Sequence, residues 1–187
     1  MRKSNLKKFD PRRIAHLDRE MWEAYYARRM GRLFLLLVRL MHEFFGFQYF
    51  YVLRVAYYSA RAARDFQKHR GQENHQRIVS NLAKAYRIIS EHSMEPFDYR
   101  KTAELELQWW LVDRYPDQYQ MSRREALASH MASLYHIDPV QLEGYAHTRA
   151  LAMEMQDEAE EKKTTANWDQ IETLLQNSYE SLYQAVQ

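Results

Sequence analysis

Residues 122–142, SRREALASHMASLYHIDPVQL, contain two helix starts that are one short helix apart. Ser122 and Glu125 have the spacing of a capping box, in which each side chain bonds a free backbone amide at the other position. Asp138 places an N-cap acceptor directly before Pro139, a residue that suits the first helical position. We therefore predict two consecutive helices here, joined as an αα-hairpin.

The same kind of helix start occurs near the beginning of the chain, at Asp10-Pro11. The chain has only 4 Gly and 4 Pro among 187 residues, too few for the turns that many short strands require. We therefore predict an all-α fold, a single-domain helical bundle of about seven helices over residues 1–187. A basic N-terminal arm is expected over about residues 1–10.

Helical periodicity between these boundaries gives the expected positions of the seven helices. Gly46 is a suitable C-terminal residue for the first of them, and Gly31 is a place where that long helix could bend. The predicted helices cover residues 11–45, 47–69, 73–92, 98–114, 123–135, 139–161 and 167–186.

Composition places the chain among folded proteins of a reducing compartment. Hydrophobic residues make up 46% and charged residues 28%, which is the balance of a protein with a packed core. Cys is absent, so disulfides and thiolate chemistry are excluded, and we expect a cytoplasmic location. The most apolar region, 33–60, is interrupted by Arg39, Glu43 and Arg54. We therefore predict no membrane span.

Charge is distributed unevenly along the chain. The formal net charge is +2, but residues 139–187 contain nine acidic and three basic side chains, a net charge of −6. The rest of the chain must then carry +8. A basic surface of this kind could meet nucleic acid, an anionic membrane or an acidic protein, or be neutralised within the fold.

The stretch AELELQWWLVDR, residues 103–114, places carboxylates beside two tryptophans. Glu104 lies on the polar face of the predicted helix, whereas Glu106 projects between Trp109 and Trp110, which follow it at i+3 and i+4. Asp113 lies two helical turns after Glu106 and continues the same acidic stripe. A carboxylate inside an apolar arc needs a partner, because burying an unpaired charge is costly.

Arg149 is the partner we predict for Glu106. It projects from the middle of an apolar face of the sixth predicted helix, where a guanidinium would also need neutralising. One interpretation is an ion pair that supports the architecture, or side chains that reach water past the aromatics. The other is an internal polar site for a ligand, bounded by Glu106, Asp113, Arg149 and the two tryptophans.

A metal-dependent, di-iron type oxidase is an alternative function. Glu20 lies one helical turn from His16, and carboxylate and imidazole groups on several helices are the ligands that such bundles use. The Glu-x-x-His spacing of ferritin-like sites is missing from the chain, however. The other candidate ligands are Glu23, Glu106, Asp113, Glu143 and His147.

The first functional hypothesis is therefore a non-enzymatic helical binding or interaction protein with an unknown small-molecule or protein partner and no cofactor. The third, after the oxidase, is a basic adaptor for nucleic acid or an anionic membrane. Nucleic acid is disfavoured, because the second helix of the hairpin presents Glu143 and His147 where DNA readers usually present Arg, Lys or Asn. The many aromatics of the second predicted helix indicate core, or an interface between copies of a homo-oligomer.

Overall fold

The computed structural model describes residues 3–68 and 71–187, which form eight α-helices and no strand. Two short 3-10 helices, Pro116–Gln118 and Pro139–Leu142, precede α6 and α7. The all-α prediction is confirmed. The helices are α1 Pro11–Tyr26, α2 Met30–Phe45, α3 Tyr49–Lys68, α4 His75–His92, α5 Tyr99–Arg114, α6 Arg123–Tyr135, α7 Glu143–Glu161 and α8 Trp168–Val186.

The helices form a closed ring, because each packs against the next in sequence and α8 packs against α1. Every helix contributes to one continuous apolar cluster. Representative buried members, one from each helix in order, are Ile14, Val38, Val55, Ile78, Leu107, Leu127, Tyr145 and Leu175. This order of neighbours decides which helices can share an internal site: α7 faces α6 and α8, while α5 faces α4 and α6.

The three predicted helix starts are confirmed by their caps. The Asp10 carboxylate accepts hydrogen bonds from the backbone amides that open α1, and Ser122 and Glu125 make both bonds of the capping box. Asp138 caps a 3-10 turn, which continues directly into α7. Gly46 ends its helix in the left-handed conformation, with φ of 65°. The predicted end of the second helix at residue 69 lies outside the described residues.

The prediction of one helix over 11–45 is wrong, since α1 ends at Tyr26 and α2 begins at Met30. Arg28 adopts a left-handed φ of 55°. Its amide bonds the carbonyl of Tyr25, and the Arg29 amide bonds the carbonyl of Ala24, the two bonds of a Schellman helix end. Arginine here takes a position usually held by glycine. The break consequently falls before Gly31 and makes eight helices rather than seven.

The N-terminal segment packs against the bundle from Ser4 onward. Ser4 exchanges backbone hydrogen bonds with residues 92 and 94, and the side chains of Leu6 and Phe9 are buried. The first two residues of the predicted basic arm lie outside the described part of the chain. Within that part, no helix is both long enough and apolar enough to cross a membrane.

Candidate functional site

Arg149 lies at an ion pair that joins three helices. Its Nη1 is 2.7 Å from Asp18 Oδ2 of α1 and 3.1 Å from the Tyr179 hydroxyl of α8. The Tyr179 hydroxyl donates to the same Asp18 oxygen at 2.8 Å. Asp18 is 1% exposed, and the Trp22 ring lies 5.5 Å from the guanidinium carbon. Burial alone would lower the pKa of Arg149, but the Asp18 charge holds that pKa well above its ordinary value.

The predicted pairing of Arg149 with Glu106 is therefore wrong, although the expectation of a buried salt bridge is confirmed. The partner is Asp18, at the distance of a charge-assisted hydrogen bond. The reason is the order of helices in the ring. Arg149 projects from α7 toward α8 and α1, whereas Glu106 lies on α5, which packs between α4 and α6.

Glu106 has a different set of neighbours, across α4, α5 and α6. Burial raises the pKa of Glu106 to about 7, and a hydrogen bond with Tyr86 partly opposes that rise. The Tyr86 hydroxyl is also 2.7 Å from His130 Nε2. Burial, with a smaller contribution from the Arg149 charge, lowers the pKa of His130 to about 3. These three groups form a largely buried chain that is neutral between about pH 3 and pH 7.

The two tryptophans pack as part of the core instead of lining an open pocket. Trp109 and Trp110 are half-buried and meet edge to face, with ring centroids 6.2 Å apart. Trp110 also lies 5.3 Å from the Phe66 ring of α3. Aromatic contacts of this kind stabilise helix packing beyond the apolar area that they bury.

Asp113 lies near one end of α5 and belongs to a third group. Arg123 of α6 makes ion pairs at 2.8 Å with both Asp113 and Asp157 of α7. Burial raises the pKa of Asp113, and the nearby Arg123 charge opposes the rise. Beside this group, α5, α6 and α7 border a groove of about 530 Å³ whose lining includes Asp157, Glu158 and Glu161.

Glu20 does not face the ion pair of Asp18 and Arg149. It lies two residues after Asp18, which places it on the opposite side of α1. Its carboxylate pairs with Arg32 of α2 at 2.8 Å. His16, its neighbour one turn earlier, lies 4.0 Å from the Glu20 carboxylate and 3.0 Å from that of Glu172 of α8. Of the five side chains predicted to bound the internal site, four lie on α5, whereas Arg149 lies on α7 and pairs across to α1; Glu20, a further candidate, lies elsewhere on α1.

The di-iron alternative needs several ligating side chains to converge. Across residues 3–68 and 71–187, no group of three His, Asp or Glu side chains is placed to hold a metal ion. Glu23, another of the candidate ligands, pairs with Arg19 at 2.7 Å. The oxidase hypothesis thus has no ligand group in the part of the chain described.

Four residues of the Arg149 ion pair and of the Glu106 chain were not among the predicted site residues. They are Asp18, Tyr86, His130 and Tyr179. A signal was present for Asp18: it lies among apolar residues of α1 on the helical arc that includes Ile14 and Met21, as Arg149 does on α7. Tyr86 and Tyr179 gave no such signal, because tyrosine is common on buried helix faces.

A second feature lies on the outside of α3. Phe50, Leu53 and Tyr57 are 64%, 47% and 51% exposed. The Arg54 guanidinium lies 5.8 Å from the centroid of the Phe50 ring, and Arg61 lies at the same distance from Tyr57. At 100° per residue these side chains share an arc of about 100°. We call this arc the α3 face; its residues are Phe50, Leu53, Arg54, Tyr57, Arg61 and Arg64.

The positive charge of the α3 face is only partly offset by neighbouring side chains. None of its arginines takes part in an ion pair between described residues. The acid of α3, Asp65, is buried at the border of this face, one helical turn after Arg61, where its charge also acts on Arg61. It pairs with Arg77 of α4 at 2.8 Å. On the neighbouring helix α2, Leu35 is 65% exposed and Arg39 is exposed as well.

Comparisons with known proteins found no match: no family model, no curated protein and no solved structure resembles this chain significantly.

Proposed function

We propose that the chain is a non-catalytic helical interaction protein that binds its partner through the α3 face. The observation that carries the proposal is the exposure of Phe50, Leu53 and Tyr57 on one arc with three arginines, none of which forms an ion pair between described residues. Single exposed apolar residues are ordinary on a protein surface, but contiguous ones bordered by charge mark interaction sites. Aromatic residues and arginine are also the residues enriched in binding interfaces.

The packing of α3 supports the same conclusion. Its inner side already supplies the core with Val52, Val55 and Ala56, which are fully buried. The outer aromatics are therefore not needed to hold the helix in the ring. Polar side chains at positions 50, 53 and 57 would keep the helix and leave the core intact, so the apolar side chains on the outside call for another role.

The test uses the absence of cysteine from the chain, which allows single cysteines to be introduced without background labelling. Leu53→Cys and Tyr57→Cys report on the α3 face, and Val140→Cys, at a residue that is 76% exposed, is the control. Each variant is labelled with a maleimide, both as purified protein and inside cells of the natural host. We expect the α3-face cysteines to react at least about fivefold more slowly in the cell, since a partner that occupies most of the molecules covers them.

The control cysteine should react at the same rate in both settings. If the cysteines at 53 and 57 also react equally fast in the cell and in the tube, the α3 face is uncovered, and the proposal is wrong. Slower reaction at all three positions would indicate poor entry of the reagent, which a membrane-permeant maleimide removes.

A second candidate function is binding of a small polar molecule at the cluster formed by Asp18, Arg149 and Tyr179. The observation that favours it is Asp18 Oδ1, a buried oxygen that accepts no hydrogen bond from the described residues. Buried charged oxygens nearly always have a donor, so a ligand or an ordered water should supply one. Arg149, which has further N–H donors besides Nη1, would bind the acceptor group of that ligand.

Native mass spectrometry of protein purified from its host tests this second candidate. A bound ligand gives a wild-type mass larger than the 22.7 kDa of the chain, and Asp18→Asn should lose the additional mass. Glu104→Gln, on the exposed side of α5, should retain it. A wild-type mass equal to that of the bare chain would mean that water completes Asp18, and the candidate fails.

A further inference from the structure

We infer that the partner of the α3 face is an anionic lipid bilayer, on which α3 lies flat with Phe50, Leu53 and Tyr57 inserted at the headgroup boundary. This inference rests on the proposed function, because it names the partner of the same surface. The observations that support it are the alternation of apolar and cationic side chains along the face, the excess of positive charge on it, and the burial of the opposite side of α3.

The dimensions suit a helix lying in the membrane plane. The face runs from Phe50 to Arg64, a length of about 21 Å at 1.5 Å per residue. The opposite side of α3 is anchored in the core by Val52, Val55 and Ala62. The helix therefore presents one side only to a partner. A basic face that contains aromatics and leucine is the pattern of helices that lie on membranes with their apolar side chains in the boundary.

Charge complementarity favours an anionic surface. Three arginines follow one another at positions 54, 61 and 64, and each basic residue near an anionic leaflet contributes an attraction of its own. Their long stems allow the guanidinium groups to reach the phosphate level while neighbouring rings lie deeper. Leu35 and Arg39 repeat the combination of apolar and basic side chains on α2, which widens the surface beyond a single helix.

The same observations disfavour the two other anionic partners. A nucleic acid would give Leu53 and Phe50 little to bury on its phosphate backbone, and the face contains no Asn or Gln to read base edges. An acidic protein would usually be held in one register by hydrogen bonds and paired charges of both signs. The α3 face has only arginines and apolar side chains, which is sufficient for a fluid surface that imposes no register.

Sedimentation of the full chain with vesicles tests the inference. Vesicles of phosphatidylcholine containing about one third phosphatidylserine carry the negative surface that the arginines require. We expect the chain to bind them at least about tenfold more strongly than vesicles of phosphatidylcholine alone, and to be released by added salt. Binding to duplex DNA, single-stranded RNA and polyglutamate is measured in parallel. The oligomeric state of the chain is followed by analytical ultracentrifugation.

Two variants separate the contributions of the face. Phe50→Gln with Leu53→Gln should weaken vesicle binding about tenfold, because the apolar insertion is lost. Arg54→Gln, Arg61→Gln and Arg64→Gln together should weaken it roughly a hundredfold and remove most of the salt dependence. All five positions are at the surface, and glutamine keeps the helical propensity, so both variants should fold.

Matched controls remove the same kinds of side chain from other parts of the surface. Val140→Gln removes an exposed apolar side chain, and the triple change Arg100→Gln, Lys101→Gln and Arg124→Gln removes three exposed cations from α5 and α6. Neither control should change vesicle binding more than about threefold, because none of these residues belongs to the α3 face. Equal loss in the triple control and the α3 triple variant would mean that overall charge binds the vesicles, and the inference fails.

The remaining outcomes distinguish this inference from the proposed function. If the cysteines at 53 and 57 are covered in the cell but the chain does not bind the charged vesicles, the α3 face binds something else and only the membrane inference fails. Stronger binding to DNA, RNA or polyglutamate than to vesicles, or self-association that Leu53→Gln abolishes, reassigns the face to that partner. Uncovered cysteines together with no vesicle binding overturn both.

Discussion

Replacing Arg149 with methionine is expected to lower the free energy of unfolding by about 3–5 kcal/mol. Asp18 is 1% exposed and has Arg149 as its ion-pair partner, so the substitution leaves a buried carboxylate with only the Tyr179 hydroxyl as donor. Methionine fills much of the arginine volume, which keeps a cavity from adding to the loss. Urea denaturation at pH 7 measures the change, from the shift in midpoint at constant slope.

A double-mutant cycle shows whether the loss belongs to this ion pair. Asp18→Asn alone should also be destabilising, but the pair of changes together should cost less than the sum, since neither leaves a lone buried charge in the double variant. The cycle of Glu106→Gln with Arg149→Met should be additive within about 0.5 kcal/mol, because those two side chains belong to different clusters. Glu104→Ala, on the exposed side of α5, should cost under about 1 kcal/mol.

Additive losses at Asp18 and Arg149 would contradict the pairing and favour independent contacts with water. A near-neutral Arg149→Met would mean that the guanidinium contributes packing rather than charge. The desolvation of a buried pair can offset its attraction, so the claim concerns the loss on breaking the pair, not a net gain from having it.

The individual members of the internal clusters could be found from the sequence, but their pairing could not. Arg149 stands out because its helical neighbours are apolar, and the same pattern around Asp18 was available on α1. Pairing depends on which helices are adjacent, and the ring is closed by contacts between α1 and α8, at opposite ends of the chain. Local periodicity carries no information about contacts of that range.

The helix boundaries that could be predicted are those marked by a capping residue. The starts at Asp10, Ser122 and Asp138 were predictable because side-chain acceptors and proline act within one turn. The end of α1 was not, because Arg28 takes the left-handed conformation in place of glycine or asparagine. Arg28 is exposed, and its residue type carries no local signal for a helix end of this kind.

The α3 face was missed for a related reason. The stretch FQYFYVLRVAYY has aromatic or aliphatic residues around the whole circumference of the helix, so its pattern does not show which side is buried. The sequence pattern indicated core or an interface between copies, and Val52 and Val55 do lie in the core. Phe50, Leu53 and Tyr57 lie outside because α2 and α4 cover only the other side of α3.

The chain of Glu106, Tyr86 and His130 predicts a second large effect, on the pH dependence of stability. The single hydroxyl proton of Tyr86 can go to His130 Nε2 or to Glu106, but not to both. When Tyr86 donates to neutral His130, Glu106 must hold its own proton to donate to the Tyr86 oxygen. Ionisation of Glu106 therefore reverses the hydrogen bonds and places a charge in a poorly solvated position, which agrees with the raised pKa of Glu106.

Because the pKa of Glu106 rises from 4.5 to about 7 on folding, its contribution to stability is complete below pH 4.5 and is lost as the pH rises through 7. The full shift corresponds to about 3 kcal/mol, and since Glu106 keeps some exposed surface we expect about 2–3 kcal/mol. Glu106→Gln stays neutral at every pH, so its stability relative to wild type should rise by that amount between about pH 4 and pH 8. His130 has the opposite dependence, because its pKa is lowered, but it is present in both proteins and cancels in the difference.

Urea denaturation across this range, with Glu104→Gln as the exposed control, measures the difference. A constant offset between wild type and Glu106→Gln would show that Glu106 ionises freely in the folded protein, and that its burial does not hold its proton.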